Sequence, residues 1–202
     1  MDNIDIHLLF PKTVAKTIVN LSVQEKSMLN VTYNNNVFVS SKGGNSPEMS
    51  HDLYVLNGMP WLANKFNNVI TEFTKNFLKW DNTRTKMSTS WFTKTKKGQE
   101  SVYHSHANNI YSGVFYWDNV EKAKITFENF NLGHHWEIQP KELNQYNNCQ
   151  YSFEIGDCEL LIFPSELHHK IEPWIHKEDR KSLAFNWIPI GELGVSDSRV
   201  VI

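Results

Sequence analysis

The sequence contains few of the residues that build a disulfide framework, and it has no excess of charge of either sign. Its 202 residues include only two cysteines, Cys149 and Cys158, which are nine positions apart. This spacing contains no CxxC pair, so it favours neither a disulfide scaffold nor a zinc knuckle. The formal net charge is −2. Without a surplus of lysine and arginine, the chain does not have the composition of a nucleic-acid-binding protein.

Long apolar runs and targeting signals are also missing. No apolar run approaches the roughly 20 residues that a helix needs to span a bilayer. Residues 1–20 lack the positive charge followed by an apolar stretch that marks a secretory signal. We therefore expect a cytoplasmic protein, located in the host cytoplasm if the chain is viral.

The spacing of apolar residues changes along the chain. Between Trp61 and Trp80 it is helical, and Pro60 stands just ahead, which predicts one long helix. Residues 29–40 favour a strand, a turn and a second strand. After Thr83 the period becomes two, and it predicts short strands at 87–94, 101–105, 110–117, 123–128, 135–139, 149–155, 159–163, 168–174 and 181–189.

Many short strands separated by turns indicate a β-sandwich or a β-barrel. We expect one domain over residues 1–202, since no linker of biased composition divides the chain. Within it, a strand-and-helix support at 1–83 should brace an all-β core at 84–190. Residues 191–202 would then form a C-terminal tail.

Two segments of the β region are rich in histidine. In the first, His104 and His106 stand at positions i and i+2, which project from the same face of a strand. The second, residues 156–174 (GDCELLIFPSELHHKIEPW), contains an apolar strand, a tight FPS turn and then His168 and His169. Imidazoles that converge on one point suit a first-row divalent metal such as iron, zinc or copper.

A third segment, residues 180–187 (RKSLAFNW), begins an apolar strand with an arginine. Alternation puts Leu183, Phe185 and Trp187 on the face that packs, so Arg180 and Ser182 should point to a polar interior. An unpaired arginine there would cost several kcal/mol. No acidic partner is evident on the neighbouring strands. A small-molecule carboxylate would satisfy it, because a guanidinium binds a carboxylate through two parallel hydrogen bonds.

Taken in order, these segments resemble the iron(II)- and 2-oxoglutarate-dependent oxygenases. The matching pieces are HxH followed by SGVFYW, then LIFPSELHH.IEP, then R.S.AFNW. The likeness covers residues 88–189, and it is strongest to the prolyl-hydroxylase-like branch found in phage and marine bacteria. It implies a double-stranded β-helix, the jelly-roll barrel that cupins also have. It further implies iron(II), 2-oxoglutarate and O₂ as cofactors and cosubstrates, and hydroxylation of a C–H bond with release of succinate and CO₂.

The resemblance also implies a role for particular residues. The catalytic metal would be held by His104, His106 and His169. The far carboxylate of 2-oxoglutarate would be bound by Arg180, with support from Tyr116 and Ser182. His106 stands where the family usually has Asp or Glu, so the metal preference stays open. A register slip of one residue would exchange His169 with His168.

Two other functions fit parts of the pattern. One is a metal cupin, an isomerase or thiol dioxygenase that uses no 2-oxoglutarate, although residues 107–111 contain no Glu of the kind that cupins place after HxH. The other is a non-catalytic barrel that binds a ligand. The primary substrate would be a small metabolite or a peptide side chain, and neither a membrane nor nucleic acid is expected as a partner. A homodimer is left open.

Overall fold

The computed structural model describes residues 5, 7, 11–40, 45–80, 84–119, 121–129, 139–144 and 146–202. Two α-helices lie in this part of the chain, α1 at Val23–Asn34 and α2 at Pro60–Glu72. Its strands are β1 Ala15–Ile18, β2 Phe38–Ser40, β3 Glu48–Ser50, β4 Arg84–Thr95, β5 Tyr111–Tyr116, β6 Ala123–Glu128, β7 Gln150–Ile155, β8 Glu159–Pro164, β9 His168–Ile171, β10 Arg180–Ile190, β11 Glu192–Leu193 and β12 Val200–Val201.

The strands form two main antiparallel sheets. The larger has seven strands in the order β1-β8-β5-β10-β4-β3-β2, and the smaller has three in the order β7-β6-β9. A separate hairpin pairs β11 with β12. Sequence neighbours β8 and β9 lie in different sheets, as in a jelly roll. The predicted class, a mainly β double-stranded β-helix, is confirmed.

Helix α2 packs on the outer face of the large sheet and provides much of its core. Pro60 occupies the first turn, where its missing N–H costs nothing. Leu62, Phe66 and Ile70 recur at helical spacing and are fully buried. The Phe66 ring lies 5.2 Å from the ring centroid of Phe185 on β10. Burial of such a side chain stabilises the fold by about 1.5–3 kcal/mol. The predicted long helix is thus confirmed, and a π-helical turn extends it to Phe77.

Helix α1 occupies part of the segment for which the sequence predicted strand, turn and strand. Ser22 caps it through a reciprocal box: Glu25 N–H donates to Ser22 Oγ over 3.2 Å, and Ser22 N–H donates to Glu25 Oε2 over 2.8 Å. Leu29 and Tyr33, four residues apart, are buried on one face. The capping box and this buried pair outweigh the β-propensity of the Val-Thr-Tyr run. Only the final strand of the prediction, β2, forms.

Most of the strands predicted after Thr83 are present; β6 has the predicted bounds, 123–128, and the others have shifted ends. The run at 101–105 is an exception, because it contributes only an isolated bridge between His104 and His169. The run at 168–174 ends early, at Ile171. The run at 135–139 lies outside the described residues except for its last position.

The N-terminal segment contributes directly to the large sheet. Strand β1 pairs with β8 at one edge, and β3 pairs with β4 toward the other. We propose that residues 1–83 support the core at 84–190 and that 191–202 form a tail, a division that stays a prediction. Neither described helix combines the length and apolarity that crossing a membrane requires. The cytoplasmic location also stays a prediction.

Candidate metal centre and anion pocket

The three histidines predicted as metal ligands come together in the structure. His104, His106 and His169 each offer a ring nitrogen, and these atoms all lie within 4.8 Å of one another. The ring centroids are 4.4 Å apart for His104 and His169, and 5.2 Å apart for His106 and His169. This spacing is compatible with one cation bound by three imidazoles.

Main-chain hydrogen bonds hold the two histidine segments against each other. His104 N–H donates to His169 O over 3.0 Å, and His169 N–H donates to His104 O over 2.9 Å. Beyond the pair, His106 N–H donates to Ser165 O over 2.8 Å. Because the backbone forms these bonds, the cluster depends on the sheet pairing as well as on its own side chains.

Two of the rings have a defined orientation. His104 Nδ1 lies 2.9 Å from Val102 O, and His169 Nδ1 lies 2.9 Å from Leu167 O. A carbonyl oxygen only accepts, so each Nδ1 carries the proton in this arrangement. Each Nε2 then carries the lone pair through which an imidazole binds a metal.

The environment keeps two of these imidazoles neutral. Burial, with a smaller contribution from the nearby His104, lowers the pKa of His106 to about 4. The same two causes lower the pKa of His169 to about 3. Neutral imidazole is the form that binds a metal. Three imidazole nitrogen donors suit iron, nickel, copper or zinc, and none of the three ligands is a carboxylate.

The structure also distinguishes the two adjacent histidines of β9. His169 is 4% exposed and belongs to the cluster, whereas His168 is exposed. Successive residues of a strand face opposite sides, so only one of the pair can point inward. Of the two strand registers that the sequence allowed, the structure has the one in which His169, and not His168, points into the protein.

The histidine cluster lines a cavity of about 490 Å³ that lies between the two sheets. Strands β4, β5 and β10 provide one wall, and β6 and β9 provide residues of the other. The three residues predicted to bind the cosubstrate line the same cavity: Arg180, Tyr116 and Ser182. Cross-strand pairing puts Ser182 directly opposite Tyr116 on β5.

Arg180 is a buried cation that has no anionic partner among the described residues. It is 1% exposed, and its Nη2 donates to Thr95 Oγ1 over 2.7 Å. Within the described ranges, Nε and Nη1 have no hydrogen-bond partner and no Asp or Glu forms an ion pair with the guanidinium. Burial lowers the pKa of Arg180. An anion in the cavity would offset the cost of burying this charge.

Aromatic rings surround the guanidinium. Its Cζ lies 5.4 Å from the ring centroid of Trp174 and 5.9 Å from that of Tyr116. The Tyr116 hydroxyl is buried and has no partner among the described residues. Burial raises the pKa of Tyr116, so the hydroxyl remains a donor. The pocket therefore contains unsatisfied donors on two side chains, as a carboxylate site requires.

Sequence reasoning did not identify Thr95 or Trp174 as part of this pocket. Thr95 pairs with Arg180 across β4 and β10. Trp174 lies beyond β9, where its indole N–H donates to Glu178 O over 2.6 Å. The two-residue alternation along β4 could have placed Thr95 on the same face as Thr93. Only the pairing of β4 with β10 shows that this face lies beside Arg180.

The alternation expected along β10 is confirmed. Arg180, Ser182 and Ala184 line the cavity, and Leu183, Phe185 and Trp187 belong to the hydrophobic core. The Phe185 ring lies against the backbone of Gly113, its pairing partner on β5. A Cβ at Gly113 would lie 2.3 Å from the Phe185 ring, which explains the glycine of the SGVFYW segment.

Comparisons with known proteins agree with this site. Residues 89–186 match the family described as "Putative 2OG-Fe(II) oxygenase". A comparison with curated proteins found no match.

Three solved structures share the fold at low sequence identity. An oxidoreductase of the 2OG-Fe(II) oxygenase family from Burkholderia pseudomallei has a TM-score of 0.63 and 8% identity, over 87% of this chain and 85% of that one. HygX from Streptomyces hygroscopicus, with nickel, 2-oxoglutarate and hygromycin B bound, has a TM-score of 0.61 and 8% identity, over 88% and 83%.

The third is the viral collagen prolyl hydroxylase vCPH from Paramecium bursaria Chlorella virus-1, in a 2-oxoglutarate complex. It has a TM-score of 0.54 and 9% identity, and the match covers 86% of this chain and 94% of that one. The matched family spans β4 to β10, which provide most of the cavity wall. The chain therefore resembles the iron(II)- and 2-oxoglutarate-dependent oxygenases over residues 89–186, and it shares the fold of solved members of that superfamily.

Proposed function

We propose that this protein is an iron(II)- and 2-oxoglutarate-dependent dioxygenase that hydroxylates a C–H bond of a small molecule or a peptide side chain. One observation carries the proposal: a cluster of three imidazoles and a buried arginine with two unpartnered donor atoms among the described residues line the same cavity. Neither half is specific alone, since many metal enzymes cluster imidazoles and many anion sites bury an arginine. Together they match a ligand that touches a metal with one end and has a carboxylate at the other.

His104, His106 and His169 would hold the metal. The fit rests on their spacing and on the Nδ1 contacts that direct the lone pair to Nε2 in two of the rings. Iron(II) bound there with 2-oxoglutarate would supply the oxidising chemistry: O₂ gives one oxygen atom to succinate and one to the hydroxylated product, and CO₂ is released. The chain itself holds, orients and shields the reactants.

Arg180 would bind the far carboxylate of 2-oxoglutarate. Thr95 engages Nη2 and so fixes the plane of the guanidinium, while Nε and Nη1 remain to donate. The Tyr116 hydroxyl would supply a further donor, and Ser182 another. The Trp174 and Tyr116 rings keep water away from this end, which strengthens each of these charged hydrogen bonds.

Each of the two alternative functions explains only some of the side chains that line the cavity. A metal cupin that acts without 2-oxoglutarate would not need a buried guanidinium with two donor atoms that lack a hydrogen-bond partner among the described residues. A non-catalytic binding barrel would not need three clustered imidazoles, two of which have depressed pKa values. Hydroxylation, as in the prolyl hydroxylase vCPH, is the outcome that we propose for this chain.

Anaerobic loading with iron(II), followed by visible absorption, tests the proposal. We expect a weak charge-transfer band that forms only when iron(II) and 2-oxoglutarate are both present, because one carboxylate oxygen and the keto oxygen of the cosubstrate would then bind the metal. On admission of O₂ we expect succinate. A protein that binds iron(II) normally but gives neither the band nor succinate would be a cupin of another kind.

A further inference from the structure

The second half of strand β4 lines the cavity with alternate side chains. Thr89, Trp91 and Thr93 face the cavity, and Thr95, the next in the alternation, bonds to Arg180. The Trp91 ring lies 5.8 Å from that of His106. From Thr95 to Thr89, β4 therefore runs from the anion pocket, past the histidine cluster, to the opposite end of the cavity.

The length of this strand separates two parts of the cavity. At about 3.3 Å per residue, Trp91 lies about 13 Å and Thr89 about 20 Å along β4 from Thr95. The four C–C bonds of a five-carbon diacid, each about 1.5 Å long, span only about 5 Å. A cosubstrate held at Arg180 therefore cannot reach Thr89, and neither the cosubstrate nor the metal ligands occupy this end of the cavity.

A chain of hydrogen bonds engages the Thr89 hydroxyl oxygen from behind. Ser112 Oγ donates to Asn186 Oδ1 over 2.8 Å, and Asn186 Nδ2 donates to Thr89 Oγ1 over 3.1 Å. Behind them, Ser112 Oγ lies 2.9 Å from Ser165 Oγ. Because both ends of the Asn186 amide are engaged, Thr89 Oγ1 accepts and keeps its own proton. That proton has no acceptor within the described ranges, so it is available to the cavity.

The surroundings of Thr89 and Trp91 are apolar and uncharged. Leu53 and Val102 line the same cavity and remain 43% and 69% exposed. Among the described lining residues, the charged or titratable side chains are Arg180, Tyr116 and the three histidines, and the proposed function assigns all of them to the metal or the cosubstrate. A charged group at this end would lose its hydration without gaining a counter-ion.

We propose that Thr89, Trp91, Leu53 and Val102 form the subsite for the primary substrate, and that it accepts an uncharged group with an oxygen acceptor beside an apolar face. The oxygen accepts a hydrogen bond from the Thr89 hydroxyl, and the apolar face packs on Trp91. Asn186 acts as a positioning residue, because it turns the Thr89 hydroxyl toward the cavity. The inference rests on the proposed function, which supplies the metal and the cosubstrate.

Three capped amino acids with the same backbone test the substrate class. They are N-acetyl-leucine N-methylamide, N-acetyl-glutamate N-methylamide and N-acetyl-lysine N-methylamide, each titrated into the anaerobic iron(II)–2-oxoglutarate complex while its visible band is followed. We expect the neutral leucine probe to bind at least about tenfold more tightly than either charged probe. Equal or tighter binding of a charged probe, or no saturable binding of the leucine probe, overturns the proposal.

Matched variants test the two named contacts. Thr89→Val, which removes the hydroxyl, should weaken binding of the leucine probe about fivefold, and Thr89→Ser should restore it. Trp91→Ala should weaken it about tenfold or more, and Trp91→Phe by less. Wild-type affinity in both Thr89→Val and Trp91→Ala overturns the subsite.

The absorption band separates this inference from the proposed function. We expect the band of the metal–cosubstrate complex to form in the Thr89 variants as it does in the wild type. Absence of the band in the wild-type protein contradicts the proposed function itself. A normal band without discrimination among the probes contradicts only the subsite.

Discussion

His104 and His169 exchange two main-chain hydrogen bonds, with N-to-O distances of 3.0 and 2.9 Å, and so form an antiparallel bridge. His169 belongs to strand β9, whereas His104 lies outside the regular strands. Their ring centroids are 4.4 Å apart. The backbone therefore brings two of the three imidazoles together before any metal binds. A substitution of either side chain removes a proposed ligand and leaves the bridge intact.

We accordingly predict that His169→Ala abolishes metal binding while the fold remains. Even outer contacts to metal ligands are worth roughly 10- to 100-fold in affinity, so loss of one of three ligands should cost more than about 100-fold. Iron content after loading, measured beside circular dichroism, checks this. His168→Ala is the matched control, since it alters the exposed neighbour on the same strand. Equal iron in the two variants would remove His169 from the site.

Arg180→Lys should raise the 2-oxoglutarate requirement without loss of metal. A lysine keeps the charge but cannot form two parallel hydrogen bonds, and a hydrogen bond to a charged group contributes about 1.5–3 kcal/mol. We therefore expect an increase of about 10- to 100-fold in the KM for 2-oxoglutarate. Succinate formation at varied 2-oxoglutarate concentration measures it. Arg199→Lys, at an exposed ion pair with Glu192, should leave that KM unchanged.

Two substitutions at His106 distinguish a metal ligand from a packing residue. His106→Asp supplies the carboxylate that the resemblance leads us to expect at this position, so it should retain iron(II) within about tenfold, whereas His106→Ala should lose more than about 100-fold. Iron(II) titration followed by absorption gives both values. If the alanine variant binds iron(II) as well as the aspartate variant does, His106 only packs against Trp91.

Gly113→Ala should destabilise the large sheet. The added Cβ would meet the Phe185 ring at 2.3 Å, and Phe185 is fully buried and cannot move aside freely. Overpacking of this kind costs about 1–3 kcal/mol. Urea unfolding measures the change in the free energy of unfolding. Gly58→Ala, where nothing lies within 4 Å of the added carbon, is the control and should differ little from the wild type.

Much of the site could be predicted because its residues occur in short local patterns. The i, i+2 spacing of His104 and His106, and the alternation of Arg180 with Leu183 and Phe185, depend only on the two-residue repeat of extended backbone. The helix after Pro60 was equally accessible, since its buried positions recur at 3.6 residues. Helix α1 was missed because its capping box competes with residues of high β-propensity.

The amino-acid sequence by itself determined the mainly β class, the long helix, and the residue types that a metal and a carboxylate would need. Only the tertiary structure decided that His169 faces inward while His168 does not, that Thr95 and Trp174 border Arg180, and that Asn186 turns the Thr89 hydroxyl toward the cavity. The reason is physical. Periodicity specifies which side chains share a face of one strand, whereas pairing between strands distant in sequence decides which faces meet.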